Sequence, residues 1–112
     1  MKLRELRRLL KIWAKRLRVD DWELNVKWGK PDNMTGEGVQ GNIFFEPEFR
    51  RALIVLLALK YREEEGDSPE EDLIHELLHL VLQGHGTRMK YDAMFERGLN
   101  QIAHALYTAY SL

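Results

Sequence analysis

The spacing of apolar residues predicts a helix at each end of the chain. Over residues 2–18, apolar residues recur every three or four positions and basic residues fill the opposite face, which is typical of an amphipathic helix packed on a core. The apolar positions of this helix are Leu3, Leu6, Leu9, Leu10, Trp13, Ala14 and Leu17. A similar pattern predicts a last helix over residues 88–110, with Met94, Leu99, Ile102, Ala103, Leu106 and Tyr107 on its buried side.

Three segments between these helices are expected to form strands. Residues 22–28 alternate apolar and polar side chains, which indicates a half-buried strand. Residues 42–46 are expected to form a second, shorter strand that ends at Pro47. Residues 52–59 are a continuous apolar run that fits either a strand or a helix, and the position of this run in the chain favours a strand.

A third helix is predicted over residues 69–83. Ser68 can cap its start, Pro69 fits its first position, and Glu71 completes a capping box. Gly84 follows its last residue, and glycine readily adopts the left-handed conformation that ends many helices. Together these elements predict an α+β fold with an N-terminal helix, a small three-stranded and mostly antiparallel sheet, and two C-terminal helices.

The composition limits both the size of the fold and the chemistry available to it. A chain of 112 residues, 45% of them hydrophobic, suits a single domain over residues 1–112 with one core. The chain has no cysteine, so disulfides, thiolate metal sites and thiol nucleophiles are excluded, and any metal must be held by nitrogen or oxygen. No apolar run reaches the roughly 20 residues that cross a bilayer, and no signal-peptide pattern is present, so we expect a cytoplasmic protein that does not bind membranes.

The predicted third helix carries the sequence His75-Glu76-Leu77-Leu78-His79. Positions four apart on a helix differ by about 40° around its axis, so both imidazoles project from one face and can bind one zinc ion. Glu76 is displaced from His75 by about 100°, which suits a carboxylate that holds a zinc-bound water without ligating the metal. The pattern therefore predicts a zinc-dependent peptidase in which Glu76 is the general base and the activated water attacks a peptide carbonyl.

An accidental match to this pattern in a buried helix is the alternative explanation. A chain of this length would show the pattern by chance about three times in a thousand at average residue usage. The neighbouring residues are almost all apolar and would bury the helix. Two buried histidines and a glutamate are unfavourable unless they are paired or bind a metal, so their presence favours the metal site.

A catalytic zinc site needs a third protein ligand. His85 follows His79 by six residues, which is the spacing of the elongated motifs of metzincins and of some DNA-repair-associated peptidases. In metzincins a glycine three residues after the second histidine lets the chain turn back, but Leu82 stands at that position here. Only Gly84 could break the helix, and this leaves one residue in which to reverse direction.

Glu96 is the other candidate for the third ligand, because the segment from Glu96 to Asn100 resembles the glutamate helix of gluzincins. In that group the glutamate ligates zinc, and the residue one turn later is a hydrogen-bond partner of a metal-bound histidine. The resemblance implies that Glu96 joins the two histidines and that Asn100 supports one of them. It favours Glu96 over His85, and it implies that Gly98 lets the two helices approach closely.

Over nearly its full length the chain resembles the minimal gluzincins, or minigluzincins, and short phage-type metallopeptidases. The resemblance implies that a strand at residues 52–58 forms the upper rim of a cleft and pairs with an extended peptide or protein substrate. An endopeptidase is expected rather than an exopeptidase. Some members of the group are latent because a C-terminal segment lies in their own cleft, and residues 107–112 are a candidate for the same role.

Charge is distributed unevenly along the chain, although the net charge is only −1. Residues 1–19 contain eight basic residues and one acidic residue, whereas residues 62–72 contain seven acidic residues and one basic residue. A basic helix can bind nucleic acid, so a nucleic-acid-associated binding module is the alternative function. Leucine and tryptophan at helical spacing already give this helix a core to pack on, so its charges are expected to form a solvated face and nucleic acid is not the expected partner.

Overall fold

The computed structural model describes residues 1–35, 39–62, 68–83 and 93–110. Its helices and strands, in chain order, are α1 (Leu3–Arg16), β1 (Glu23–Gly29), β2 (Gly41–Glu46), β3 (Arg51–Leu57), α2 (Pro69–Gln83) and α3 (Ala93–Tyr110). Single turns of 3-10 helix lie in the connections at Pro31–Asn33, Pro47–Phe49 and Leu59–Tyr61. The predicted α+β fold, with one helix before a three-stranded sheet and two helices after it, is confirmed. None of the described helices combines the length and the hydrophobicity needed to cross a membrane.

Helix α1 ends two residues earlier than the apolar pattern predicts. Leu17 is its C-cap, and Arg18 adopts a left-handed conformation with a φ of 59°. The Val19 amide then donates a hydrogen bond to the Ala14 carbonyl at 2.9 Å. Val19 is only 7% exposed, so the chain turns back to bury this side chain instead of continuing the helix into solvent.

The sheet is mixed, with β3 in the centre and the order β1-β3-β2. β2 and β3 run antiparallel, and Ile43 lies opposite Ile54. β1 and β3 run parallel, and Val26 lies opposite the same Ile54. The expected mostly antiparallel sheet is therefore corrected to one antiparallel and one parallel pair. The chain reverses direction between β1 and β2 and again at residues 47–50, so β3 runs in the same direction as β1. It lies between the two earlier strands.

The helices cover one face of the sheet, and the core lies between them. Alternate residues of β3 face this core: Ala52, Ile54 and Leu56 are each at most 4% exposed. The largest fully buried side chains of the helices are Trp13, Leu6, Leu73, Ile74, Leu77, Leu80 and Leu99. α1 packs on β1, whereas α2 packs on β2 and β3 and also contacts α1 and α3. The two C-terminal helices therefore meet near β2.

The strand edge beside α2 belongs to β2 and not to β3. β3 is paired along both of its edges, so it has no free edge on which to bind a peptide. The expectation that residues 52–58 form the rim of a substrate cleft is therefore wrong. The outer edge of β2 pairs with no strand in the described part of the chain, which leaves β2 as the strand that could bind a substrate.

The C-terminal end of α3 packs on α1. The rings of Tyr110 and Trp13 meet edge to face with their centroids 5.2 Å apart, and the Arg16 guanidinium lies 4.1 Å and 4.7 Å from the two centroids. A helix rises about 1.5 Å per residue, so Tyr110 lies about 21 Å along α3 from Glu96. The expected self-blocking segment is therefore contradicted for residues 107–110, and the last two residues of the chain lie outside the described part.

Candidate metal centre

Helix α2 begins with the serine cap and the proline that its sequence predicts. The Ser68 hydroxyl accepts a hydrogen bond from the Glu71 amide at 3.3 Å, Pro69 is the first helical residue, and acidic residues occupy the first turn. Most of the leucine and isoleucine side chains of α2, from Leu73 to Leu80, are buried in the core, which fixes the rotation of the helix. His75 and His79 therefore project from the same side of α2, toward α3.

His75, His79 and Glu96 come together between α2 and α3. The carboxylate oxygens of Glu96 lie 2.8 Å from Nε2 of His75 and 2.9 Å from Nε2 of His79. One ligand atom from each of the three residues can be chosen so that all lie within 4.8 Å of one another, and the group could hold a metal ion. The structure thus brings together the two histidines and the glutamate that the sequence proposes as ligands. The alternative ligand, His85, lies outside the described residues.

The chemistry of this group fits a divalent metal. Two imidazole nitrogens and one carboxylate are a donor set of catalytic zinc sites, which keep a further position open. The side chains are sheltered, with 14% of His75, 3% of His79 and 26% of Glu96 exposed. Oε1 of Glu96 is buried and accepts no hydrogen bond from the described residues, and a cation among the three side chains would give this oxygen a partner.

Gln83 orients His79 from one turn further along α2. Its Oε1 lies 3.0 Å from Nδ1 of His79, so Nδ1 donates the hydrogen bond and Nε2 keeps its lone pair for a metal. The sequence proposes that Asn100 supports one of the two histidines, and this role stays a prediction. Asn100 lines the same cavity as His75, but Nδ1 of His75 is buried without a hydrogen-bond partner in the described part of the chain. The four-residue spacing from His79 to Gln83 is the signal that could have identified Gln83.

The surroundings favour the neutral forms of two side chains in this site. Burial is the main cause that lowers the pKa of His79, and the neutral imidazole is the form that binds a metal. Burial also raises the pKa of Glu76 to about 8, and the negative charges of Glu96 and Asp72 add to this shift. A cation beside Glu76 would oppose the shift and favour the carboxylate.

Two cavities lie beside β2, and Glu76 lines both of them. The first has a volume of about 400 Å³ and is lined by His75 and Glu96. The second has a volume of about 300 Å³ and is lined by His79 and by residues of β2. Thr35 also borders both cavities. Glu76, which is 5% exposed, therefore lies where the two cavities adjoin.

Comparison of the chain with protein-family models, with curated proteins and with solved structures found no match. The resemblance to minigluzincins rests on the motif residues alone and stays a prediction. What the structure shows is a carboxylic side chain, Glu76, in the cavity beside the group of His75, His79 and Glu96.

Gly41 lets α2 approach the beginning of β2. A Cβ atom at this position would lie 2.9 Å from Cδ2 of Leu56 and 3.5 Å from Cγ of Glu76. The sequence predicts instead that Gly98 allows α2 and α3 to approach, and this prediction is wrong, because a Cβ atom at Gly98 would have no atom of α2, or of any other described residue, within 4 Å. α3 contacts the core through Leu99 and Ala103, which are 2% and 1% exposed.

A buried ion pair anchors the start of α2 next to the site. The Arg62 side chain is 1% exposed, pairs with Asp72, and donates a hydrogen bond to the Leu57 carbonyl at 2.8 Å. It also reaches Oε1 of Gln40 at 3.5 Å. Asp72 lies one turn before Glu76 and lines the same cavity. Arg62 therefore ties the end of β3 and the segment before β2 to the helix that carries the histidines.

Proposed function

We propose that this protein is a zinc-dependent metallopeptidase of the gluzincin type that acts in the cytoplasm on peptides or proteins. Its zinc ligands would be His75, His79 and Glu96, and its general base would be Glu76. The observation that carries the proposal is that the three ligand side chains converge within 4.8 Å while Glu76 lines a cavity beside them. A structural zinc site has no need of a further carboxylate at an open cavity, whereas hydrolysis has.

The residues around the site would divide the work of hydrolysis. A bound zinc ion would polarise the scissile carbonyl and lower the pKa of a water molecule toward about 7. The Glu76 carboxylate would accept a proton from that water and pass it to the leaving amine. Gln83 would hold His79 in the tautomer whose Nε2 faces Glu96. The low exposure of Glu76 would keep bulk water from competing for the proton.

The outer edge of β2 is the proposed binding site for the substrate backbone. The Gln40 carbonyl accepts a hydrogen bond from the Leu57 amide at 2.8 Å, and bonded and non-bonded pairs alternate along antiparallel strands. The N–H and C=O groups of Gly41, Ile43 and Phe45 therefore point away from β3. An extended peptide could pair with them by strand addition and would then lie along both cavities.

The two cavities support cleavage within a chain more than removal of a terminal residue. One cavity extends from Glu76 toward Asn100 and the other extends from Glu76 toward Gln83. Substrate residues could therefore lie on both sides of the scissile bond. We expect the protein to require several residues on each side of the cleaved bond, as an endopeptidase does.

Hydrolysis of a diverse peptide mixture by the zinc-loaded protein tests this proposal. Wild-type protein should cleave internal bonds, which mass spectrometry of the products would detect. Glu76→Gln keeps the size of the side chain and removes the proton acceptor, so cleavage should fall by a factor of about 100 to 10,000 while zinc stays bound. Glu70→Gln, a matched change in the first turn of the same helix, should leave both cleavage and zinc unchanged.

Two outcomes would contradict the proposal in different ways. Cleavage that survives in Glu76→Gln would show that Glu76 is not the general base. A wild-type protein that binds zinc, loses stability when zinc is removed and cleaves no peptide in the mixture would have a structural zinc site.

A further inference from the structure

We propose that the groove between α1 and β1 is a docking site for an acidic peptide in extended conformation. The groove has a volume of about 470 Å³. Four cations of α1, Arg4, Arg7, Arg8 and Lys11, line one side, and residues 24–26 of β1 line the other. Because β1 and β2 are the opposite edges of the sheet, this groove is separate from the metal centre, and its occupant would not be the segment that is cleaved.

The helical spacing of α1 arranges the four cations in a row. From Arg4 through Arg7 and Arg8 to Lys11 the row extends about 10 Å along the helix axis. All four residues are exposed. In the described ranges none of the four makes an ion pair. The opposite face of α1 is fixed on the core by Leu6 and other buried residues, so the row is held in place as an uncompensated positive surface.

The other side of the groove is the free edge of β1. The Glu23 amide donates a hydrogen bond to the carbonyl of the residue before β3 at 2.8 Å. The Gly29 carbonyl accepts a hydrogen bond from the amide of the residue after β3 at 3.0 Å. The odd-numbered residues of β1 therefore bond to β3, and the backbone groups of Leu24 and Val26 point outward. No strand in the described part of the chain pairs with this edge. The edge thus offers both N–H donors and C=O acceptors.

The combination of these two sides favours a peptide over other anionic partners. An extended peptide can place its own N–H and C=O groups against β1 and its alternate side chains, which repeat about every 6.8 Å, against the row of cations. The phosphates of nucleic acid only accept hydrogen bonds, so the outward carbonyls of Leu24 and Val26 would face oxygen atoms. A membrane surface is too flat to enter a groove between a helix and a strand. Carboxylates on every second residue of a peptide satisfy both sides of the groove.

Fluorescence anisotropy with a labelled ten-residue peptide of alternating Glu and Val tests whether the row of cations binds carboxylates. The peptide should bind the full-length protein, and replacing its Glu residues by Gln should weaken binding. The combined variant R4Q/R7Q/R8Q should weaken binding about tenfold or more. The matched variant K2Q/K15Q/K30Q removes the same number of charges outside the groove and should change binding by less than about twofold. Equal effects of the two variants would overturn the proposal.

Two N-methylated versions of the same peptide test whether its backbone pairs with the edge of β1. Methyl groups on the alternate amides that face β1 should abolish binding, whereas methyl groups on the other alternate amides should be tolerated. If both versions bind like the parent peptide, no strand forms and the proposal is wrong. An equally charged oligonucleotide, or phosphatidylglycerol vesicles, could bind more tightly than the peptide and lose this binding in R4Q/R7Q/R8Q. That result would also overturn the proposal. Removal of zinc should leave peptide binding unchanged, so docking and catalysis can fail separately.

Discussion

Nδ1 of His79 lies 3.0 Å from Oε1 of Gln83, one turn further along α2. This hydrogen bond sets the orientation of a side chain that is only 3% exposed and whose Nε2 faces Glu96 at 2.9 Å. The proton on Nδ1 leaves Nε2 as the metal-binding nitrogen. Gln83 is therefore a positioning residue of the candidate metal centre, although it would not contact the metal.

Gln83→Met should weaken zinc binding by a factor of about 10 to 100, because the hydrogen bond that orients His79 is lost while the length of the side chain is kept. Competition for zinc with a chromophoric chelator would measure the affinity. Gln101→Met, at an exposed position of α3, is the matched control and should bind zinc like the wild type. Wild-type affinity in Gln83→Met would show that the hydrogen bond does not support the ligand.

Arg62→Met should lower the free energy of unfolding by about 3 to 5 kcal/mol, because Asp72 would keep a partly buried charge without its cation. Urea denaturation would measure the loss. Arg51→Met breaks the ion pair between Arg51 and Glu46, two side chains that are 50% and 52% exposed. Its effect on the free energy of unfolding should be too small to resolve. Similar losses in the two variants would mean that the buried pair does not anchor α2.

Gly98→Ala should raise the free energy of unfolding by about 0.5 to 1 kcal/mol, because alanine favours the helix and its Cβ atom would meet no described residue within 4 Å. Gly41→Ala should lower stability, because its Cβ atom would lie 2.9 Å from a side-chain atom of the fully buried Leu56. Thermal unfolding of both variants would compare them. A decrease for Gly98→Ala would show that the helices do need a glycine there.

Tyr110→Ala should destabilise the protein by about 0.5 to 1.5 kcal/mol beyond the effect of lost buried area, because the ring contact with Trp13 is removed. It should not increase peptide cleavage, since Tyr110 lies against α1. Thr108→Ala, at an exposed position, provides the control for both measurements. Increased cleavage in Tyr110→Ala without a loss of stability would support the self-blocking tail that the described structure contradicts.

The local elements and the two histidines could be predicted because their signals lie close together in the chain. A four-residue spacing places His75 and His79 on one side of any helix, whatever that helix packs against. The capping residues Ser68 and Pro69 likewise act within one turn of α2. Glu96 could be proposed as their partner only through its resemblance to a family motif, because no local rule connects two helices across an intervening loop.

The features that the sequence did not reveal depend on how distant segments meet. The central position of β3 follows from the entry of the chain between β1 and β2, and an apolar run shows only that the strand is buried. The docking of Tyr110 on Trp13 likewise joins the two ends of the described chain.

Zinc analysis of purified wild type, Glu96→Ala and His85→Ala tests the central claim most directly. Wild type and His85→Ala should each contain one zinc ion per chain, whereas Glu96→Ala should lose it, because the Glu96 carboxylate lies within 2.9 Å of both ligand histidines. A wild-type protein that binds no zinc, or zinc that is retained in Glu96→Ala and lost in His85→Ala, would contradict this ligand set.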